Sequence, residues 1–191
     1  MTEPASNPEA SSPKASSPKA SSPKASNPEA SSAELSALRA WLGYQRGHVL
    51  GILEGLSEED LRRPVLPSGW TCLGLVNHLA LDVERFWFRA VVAGERVDLA
   101  AGDAAWRVGP EVPAEAVFDL YREEIALADA VIDSTALDAA PRWWPSQIFP
   151  GLPPRDLRHN ILSVITETAC HAGHLDAVRE LIDGRTWLVL T

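Results

Sequence analysis

The spacing of apolar residues after residue 32 predicts a series of helices. From Ala33 onward, large apolar side chains recur at intervals of three, four and seven residues, which is the period of one face of an α-helix. The first stretch predicts a helix over 33–55, and the second predicts a helix over 71–93. Thr71 lies directly before the second stretch, where a threonine hydroxyl can cap the free backbone N–H groups.

Two further stretches have the same period. One predicts a helix over 113–134 that opens with Pro113, because proline is tolerated in the first helical turn. The longest predicts a helix over 154–183, and Gly184 follows it at the usual C-terminal capping position. Four long helices without a convincing strand predict an all-α four-helix bundle, in which sites form from side chains that face inward from several helices.

The segments outside these helices differ in character. Residues 136–153 combine prolines with tryptophans, and we expect them to pack over the helices as a lid or wall. The apolar sequence TWLVL at 186–190 is expected to dock on the bundle or to pair with another chain, so a homodimer is one expectation. The sequence thus predicts a bundle domain over 33–191.

Residues 1–32 repeat a short unit rich in serine, proline, alanine and lysine. This stretch has almost no large apolar side chain, so it cannot bury enough surface to offset the entropy of ordering. It predicts a disordered tail, which serves as a spacer, a tether or a docking segment.

Charge and composition narrow the class of protein. All the lysines lie in the tail, whose charges cancel, so the whole net charge of -9 belongs to the helical part. Such a surface repels phosphate backbones, which argues against nucleic-acid binding. No apolar run is long enough to cross a bilayer. Cys72 and Cys170 lie in separate predicted helices without a CxxC motif or secretory segment, which predicts a cytoplasmic protein without a structural disulfide.

A group of polar residues on the last predicted helix suggests a metal site. Glu167 and His171 are one helical turn apart on the same face, as are residues in helical metal-binding pairs, and His174 lies close by. His78, midway along the second helix, is the best candidate for a third ligand. Asp82, one turn later, is placed to orient its ring.

The spacing alone leaves other interpretations open. Glu167 and His171 could form an ordinary ion pair on a helix surface. His174 could be a fourth ligand, a proton shuttle or a hydrogen-bonding neighbour of a ligand. His48 and His159 are better explained as surface or interface histidines.

Two stretches resemble a known family. The sequences PSGWTCLGLVNHLALDVERFW and ETACHAGH, within residues 33–185, resemble the DinB-like four-helix bundles. The resemblance is closest to their mycothiol-dependent branch of small transferases and maleylpyruvate isomerases. It implies that His78, Glu167 and His171 hold a divalent metal, with zinc expected and nickel or another divalent ion as alternatives. His174 falls where many members have a glutamine.

The same resemblance implies a reaction class. We expect a metal-dependent transferase in which a low-molecular-weight thiol, similar to mycothiol, attacks a small electrophile. Trp143, Trp144 and Trp70 are candidates for contacts with that electrophile. Isomerase activity is not expected, because the family's isomerases have an additional C-terminal domain and this chain stops at Thr191.

Several points stay open at the level of sequence. One alternative is a metal-dependent hydrolase of the same fold, in which the site activates water. Another is a non-catalytic metal-binding or stress-response module. No residue is assigned as catalytic, and spacing does not single out Arg85, Arg89 or Arg158 as the residue that binds a thiol's carboxylate.

Overall fold

The computed structural model describes residues 28–187, and every regular element in that range is helical. The predicted all-α class is therefore confirmed. The α-helices are α1 Pro28–Leu53, α2 Glu58–Arg62, α3 Cys72–His78, α4 Ala114–Asp133 and α5 Leu157–Asp183. Helices α1, α4 and α5 are long, and α2 is a single short turn. The predicted tail lies outside the described residues up to residue 27.

The second predicted helix changes its hydrogen-bond pattern partway along. It begins as α3 and continues without interruption as a π-helix over Leu79–Val92, here called the π-segment. At its end the N–H of Ala93 donates to the carbonyl of Phe88, five residues earlier. The prediction of one regular helix over 71–93 was correct in extent and wrong in type, because the apolar pattern does not distinguish the two helical forms. π-Helical turns are frequent at functional sites.

The capping predictions at the middle and end of the chain are confirmed. The hydroxyl of Thr71 accepts a hydrogen bond from the N–H of Gly74, 3.0 Å away. Gly184 ends α5 with a φ of 79°, a left-handed conformation that glycine adopts without a steric penalty.

Two helix starts differ from the predicted positions. Helix α1 begins at Pro28 rather than at residue 33, because proline suits the first helical position and Glu29 suits the positive end of the helix dipole. Helix α5 begins at Leu157 rather than at 154. Asp156 caps it by accepting a hydrogen bond from the N–H of His159, and the preceding prolines favour extended backbone.

The core lies between four helical elements. Helix α1 packs along α5, α4 packs along the π-segment, and the π-segment also contacts α5. Leucines, valines and isoleucines from all of these elements fill the space between them. The buried positions include Leu42, Val49, Leu75, Val76, Phe88, Val117, Ile132, Ile161, Val164 and Leu175.

A charged group links three helices inside this core. The guanidinium of Arg46 donates two hydrogen bonds to the buried carboxylate of Glu84, at 2.7 and 2.6 Å, and a third to Asp129 at 2.8 Å. Burial alone would lower the pKa of Arg46, but the carboxylates of Glu84 and Asp129 raise it. Buried charges are tolerated only when they are paired in this way.

The segment over 136–153 packs against the π-segment. The N–H groups of Arg142 and Trp143 donate to the carbonyls of Val92 and Val91, at 3.2 and 3.1 Å. These carbonyls lie at the end of the π-segment, where a helix lacks partners of its own. The segment therefore forms a wall along one side of the bundle.

The predicted C-terminal apolar stretch is described only in part. Trp187 lies against α1, where its ring stacks on that of His48 with a centroid distance of 5.0 Å. Gly51 makes room for this ring, because a Cβ there would lie 2.2 Å from it. Residues 188–191 lie outside the described residues. No helix over residues 28–187 has the length and apolar character needed to cross a membrane.

Candidate metal centre

The structure brings His78, Glu167 and His171 together, and we call them the His–Glu–His cluster. His78 is the last residue of α3, directly before the π-segment, and the other two lie one turn apart on α5. One carboxylate oxygen of Glu167 is 3.1 Å from Nε2 of His171 and 3.9 Å from Nε2 of His78. One donor atom from each residue lies within 4.8 Å of the other two.

The ring of His78 is held on two sides. Its Nδ1 is 3.0 Å from a carboxylate oxygen of Asp82, one turn along the chain. The ring of Trp106 stacks on it, with a centroid distance of 4.1 Å and an interplanar angle of 18°. In this arrangement Nδ1 carries the ring proton and donates a hydrogen bond to the Asp82 carboxylate, which leaves Nε2 with a free lone pair.

That Nε2 atom is the strongest sign that the cluster fits a cation. It is buried and has no hydrogen-bond partner among the described residues, which is costly for a polar atom unless something else binds it. Two imidazole nitrogens and a carboxylate oxygen are donors that divalent transition metals accept. Ligands around a tetrahedral zinc ion lie about 3.4 Å apart, close to the spacing within the cluster.

His171 is suited to the neutral form that binds a metal. Burial lowers its pKa below the ordinary value, and the nearby rings of His78 and His174 lower it further, against the opposing effect of Glu167. A metal competes only with the proton on a histidine nitrogen, so a lowered pKa favours metal binding near neutral pH.

His174 lies beside the cluster. Its Nδ1 is 3.5 Å from Nδ1 of His171, at the limit of hydrogen-bond distance, and Trp70 is close to its other side. His174 therefore contacts the ring of His171 on the side away from Glu167. This contact is consistent with the predicted hydrogen-bonding role.

The other two histidines lie elsewhere. His48 is buried beside α5, and its Nε2 is 2.7 Å from a carboxylate oxygen of Asp176. His159 is exposed in the first turn of α5, and its Nδ1 is 2.6 Å from Asp156. Neither belongs to the cluster.

A cavity of about 370 Å³ opens beside the cluster, and we call it the site cavity. His78, Asp82 and Glu167 line it. Its lining also includes an aromatic wall made of Trp87, Trp144 and Phe149, in which the rings of Trp87 and Phe149 stack 5.5 Å apart. A larger cavity of about 520 Å³ lies between α1, α2 and α4, but no residue of the cluster lines it. Size therefore does not identify the site.

The predicted tryptophans have different positions. Trp144 lines the site cavity. Trp143 packs edge-on against Phe86 and is 41% exposed, and Trp70 lies near His174, with ring centroids 6.3 Å apart.

Sequence reasoning missed Trp106, which lies in a short helical turn over Ala104–Trp106. Two contacts hold this turn on α3. The side-chain amide of Asn77 donates to the carbonyl of Ala105 at 2.7 Å, and a Cβ on Gly74 would lie 2.3 Å from the carbonyl oxygen of Trp106. The one available signal was a tryptophan in an otherwise small and polar loop.

A family model matches most of the helical part of the chain. The family model described as Mycothiol-S-transferase matches residues 37–184, which include every helix from α2 to α5 and most of α1. No curated protein matches the chain.

Proposed function

The chain belongs to the mycothiol S-transferase family, and we propose that it transfers a low-molecular-weight thiol, mycothiol or a close analogue, to a small electrophile. In this proposal a divalent cation, zinc by preference, binds at His78, Glu167 and His171. The observation that carries the proposal concerns Nε2 of His78. This buried nitrogen has no hydrogen-bond partner among the described residues, and its residue belongs to the cluster and lines a cavity with an aromatic wall.

The nucleophile must come from a second substrate. Neither cysteine lines the site cavity. Burial raises the pKa of Cys72 to about 11, so its thiol stays protonated at neutral pH and is a poor nucleophile. A free thiol that enters the cavity supplies the sulfur instead.

Asp82 and the residues of the His–Glu–His cluster have separate tasks in this proposal. Asp82 fixes the ring of His78 so that Nε2 faces the site. Glu167 contributes a negative charge that favours a cation, and His171 stays neutral. A cation held by these residues would lower the pKa of a thiol bound to it, so that the thiol would give its proton to solvent and become a thiolate near neutral pH.

The aromatic wall gives the electrophile its place. Trp87, Trp144 and Phe149 form an apolar surface that excludes water and packs against a flat or apolar molecule. The sulfur then attacks an electrophilic carbon of that molecule, an S–C bond forms, and the displaced group leaves with the bonding electrons. Two substrates held side by side react faster, because their relative orientation is already set.

Metal content tests the ligand assignment. The purified full chain should contain a stoichiometric divalent metal by mass spectrometry, and His78→Ala and His171→Ala should lose it. His159→Ala is the matched control, because this exposed histidine also contacts a carboxylate but lies outside the cluster. Circular dichroism checks that each variant is folded, and metal retention in both cluster variants would contradict the assignment.

Thiol dependence tests the reaction. Metal-loaded protein is incubated with a panel of small electrophiles, with and without mycothiol or a small thiol, and thiol consumption is measured together with product. Turnover should require the thiol and should disappear in His171→Ala. Product formation that is equal without thiol would identify a hydrolase, and no turnover with bound metal would favour a binding module.

A further inference from the structure

One basic residue of the site cavity has no task in the proposed reaction. Arg155 comes from the segment just before α5, and it lines the site cavity together with two neighbouring cavities. Its carbonyl accepts a hydrogen bond from the side chain of Asn160, at 3.0 Å. Its guanidinium has no hydrogen bond or ion pair to any residue in the described part of the chain.

The arginines that the sequence offered as carboxylate-binding candidates already form hydrogen bonds to carboxylates of the protein. Arg85 and Arg89 both donate to the buried carboxylate of Glu124, and Arg158 donates two hydrogen bonds to Glu34. These pairs hold the bundle together and leave little donor capacity for a ligand.

Other arginines without a partner do not reach the cavity. Among residues 28–187, the guanidinium groups of Arg96 and Arg142 also have no partner, but neither residue lines the site cavity. Arg155 is therefore the available cation at this cavity in a protein whose helical part is strongly acidic.

Charge is unevenly distributed along the site cavity. Its carboxylates, Asp82 and Glu167, are at the cluster end. Arg155 precedes the start of α5 at Leu157, which is about 15 Å along the helix from Glu167 at the usual helical rise. Asp156 follows Arg155 in the chain, but it lines a neighbouring cavity. Its carboxylate accepts a hydrogen bond from the N–H of His159 and contacts the ring of the same residue.

We propose that Arg155 is the carboxylate-binding residue of the site cavity. A guanidinium can donate two parallel hydrogen bonds to a carboxylate, and the nearby N-terminal end of α5 favours a negative charge. The electrophile, whose apolar body packs on the aromatic wall, is then a molecule that also carries a carboxylate for Arg155. This inference rests on the proposed function and names the class of substrate.

Binding of matched ligand pairs tests this proposal without requiring turnover. Calorimetric titrations use the zinc-loaded full chain with nitrobenzoate and its methyl ester, as unreactive mimics of the electrophile. A second pair is N-acetylcysteine and its amide, which differ in the same way on the thiol side. Each titration is repeated on Arg155→Gln and on Arg96→Gln, the control variant that removes an exposed arginine outside the cavity.

The expected result is a loss of affinity confined to one carboxylate. Arg155→Gln should weaken the binding of nitrobenzoate about tenfold and leave that of its methyl ester unchanged, while Arg96→Gln changes neither. A loss confined to N-acetylcysteine would overturn the assignment of the carboxylate to the electrophile. If Arg155→Gln behaves like Arg96→Gln in both pairs, the proposal is wrong. A failure of thiol transfer would not alter these affinities, so the two proposals fail separately.

Discussion

At the scale of single residues, the candidate site depends on how His78 is held. Its Nδ1 contacts Asp82, its face contacts Trp106, and its Nε2 has no hydrogen-bond partner in the described part of the chain. A histidine fixed in one orientation loses less freedom when it binds a cation than a freely rotating one does.

This arrangement predicts that Asp82 tunes metal affinity. Asp82→Ala should weaken zinc binding about 10- to 100-fold, because the ring of His78 loses its orientation and its proton partner. Asp82→Asn should weaken it less, since an amide oxygen can still accept from Nδ1. Competition with a chromogenic chelator measures the affinity.

A control separates this effect from a general change in charge. Asp119 is an exposed carboxylate on α4 that pairs with Arg122, away from the cluster. Asp119→Ala should leave zinc affinity unchanged. Equal affinities for wild type and Asp82→Ala would remove Asp82 from the proposed site.

At the scale of elements, the contact between α3 and the turn over Ala104–Trp106 determines the shape of the site. The carbonyl of Trp106 approaches α3 so closely that only a glycine fits at position 74. Asn77 adds a hydrogen bond to the same turn. Together they place the Trp106 ring over His78.

Gly74→Ala should therefore disturb the site from outside it. The new Cβ would meet a backbone oxygen, which cannot rotate away, so the turn must move and the Trp106 ring must shift from His78. We expect a destabilisation of about 1–3 kcal/mol together with weaker zinc binding. Denaturant unfolding and chelator competition measure the two effects.

Helix α1 supplies the matched glycine. A Cβ added to Gly43 would meet nothing within 4 Å, so Gly43→Ala should stabilise the protein by up to about 1 kcal/mol through helix propensity alone. Zinc affinity should not change. If Gly74→Ala also raised stability and kept its affinity, the turn would have no role in the site.

At the scale of the whole molecule, buried charge joins α1 and α4 to the π-segment, the element that carries Asp82. Arg46 on α1 reaches Glu84 in the π-segment and Asp129 on α4. Its side chain is 5% exposed and that of Glu84 is fully buried. Water cannot replace either partner, so the pair fixes how these helices meet.

Removal of one partner should be severe. Arg46→Met leaves the charge of Glu84 buried and uncompensated, and we expect a loss of about 3–5 kcal/mol in the free energy of unfolding. The double variant Arg46→Met with Glu84→Leu should recover much of this loss, because no buried charge remains. Denaturant unfolding of the full chain measures both.

The comparison is an exposed ion pair between α1 and α4, formed by an arginine on the same helix as Arg46. Arg39 pairs with Asp133, whose side chain is 54% exposed, and Arg39→Met should cost at most about 1 kcal/mol. Similar losses for Arg39→Met and Arg46→Met would show that the buried pair contributes no more than a surface pair.

The predictions from sequence were most accurate where chemistry is local. Thr71 and Gly184 cap helices through contacts within a few residues of themselves, so their roles follow from the neighbouring sequence. The shift in the start of α5 has the same kind of cause, since the cap at Asp156 was overlooked. The π-segment was not predictable, because its hydrogen-bond pattern depends on how the element packs.

The same distinction between local contacts and long-range packing applies to the candidate site. Spacing grouped Glu167 with His171, because an α-helix places residues four apart on one face. The position of His78 on the second helix made it the best candidate for a third ligand, the family resemblance then implied the same residue, and its role as a ligand stays a prediction. Trp106 and Arg155 were not proposed, since neither is part of a local pattern.

The sequence by itself determined the helical class, most helix ends and the pair of donors on α5, because these follow from periodicity and from contacts between near neighbours. Tertiary structure alone decided which of the unpaired arginines lies at the site cavity, which tryptophan covers His78 and where a cavity opens. Those properties depend on contacts between residues far apart in the chain, and the partner of a charged or aromatic side chain is fixed only when the helices pack.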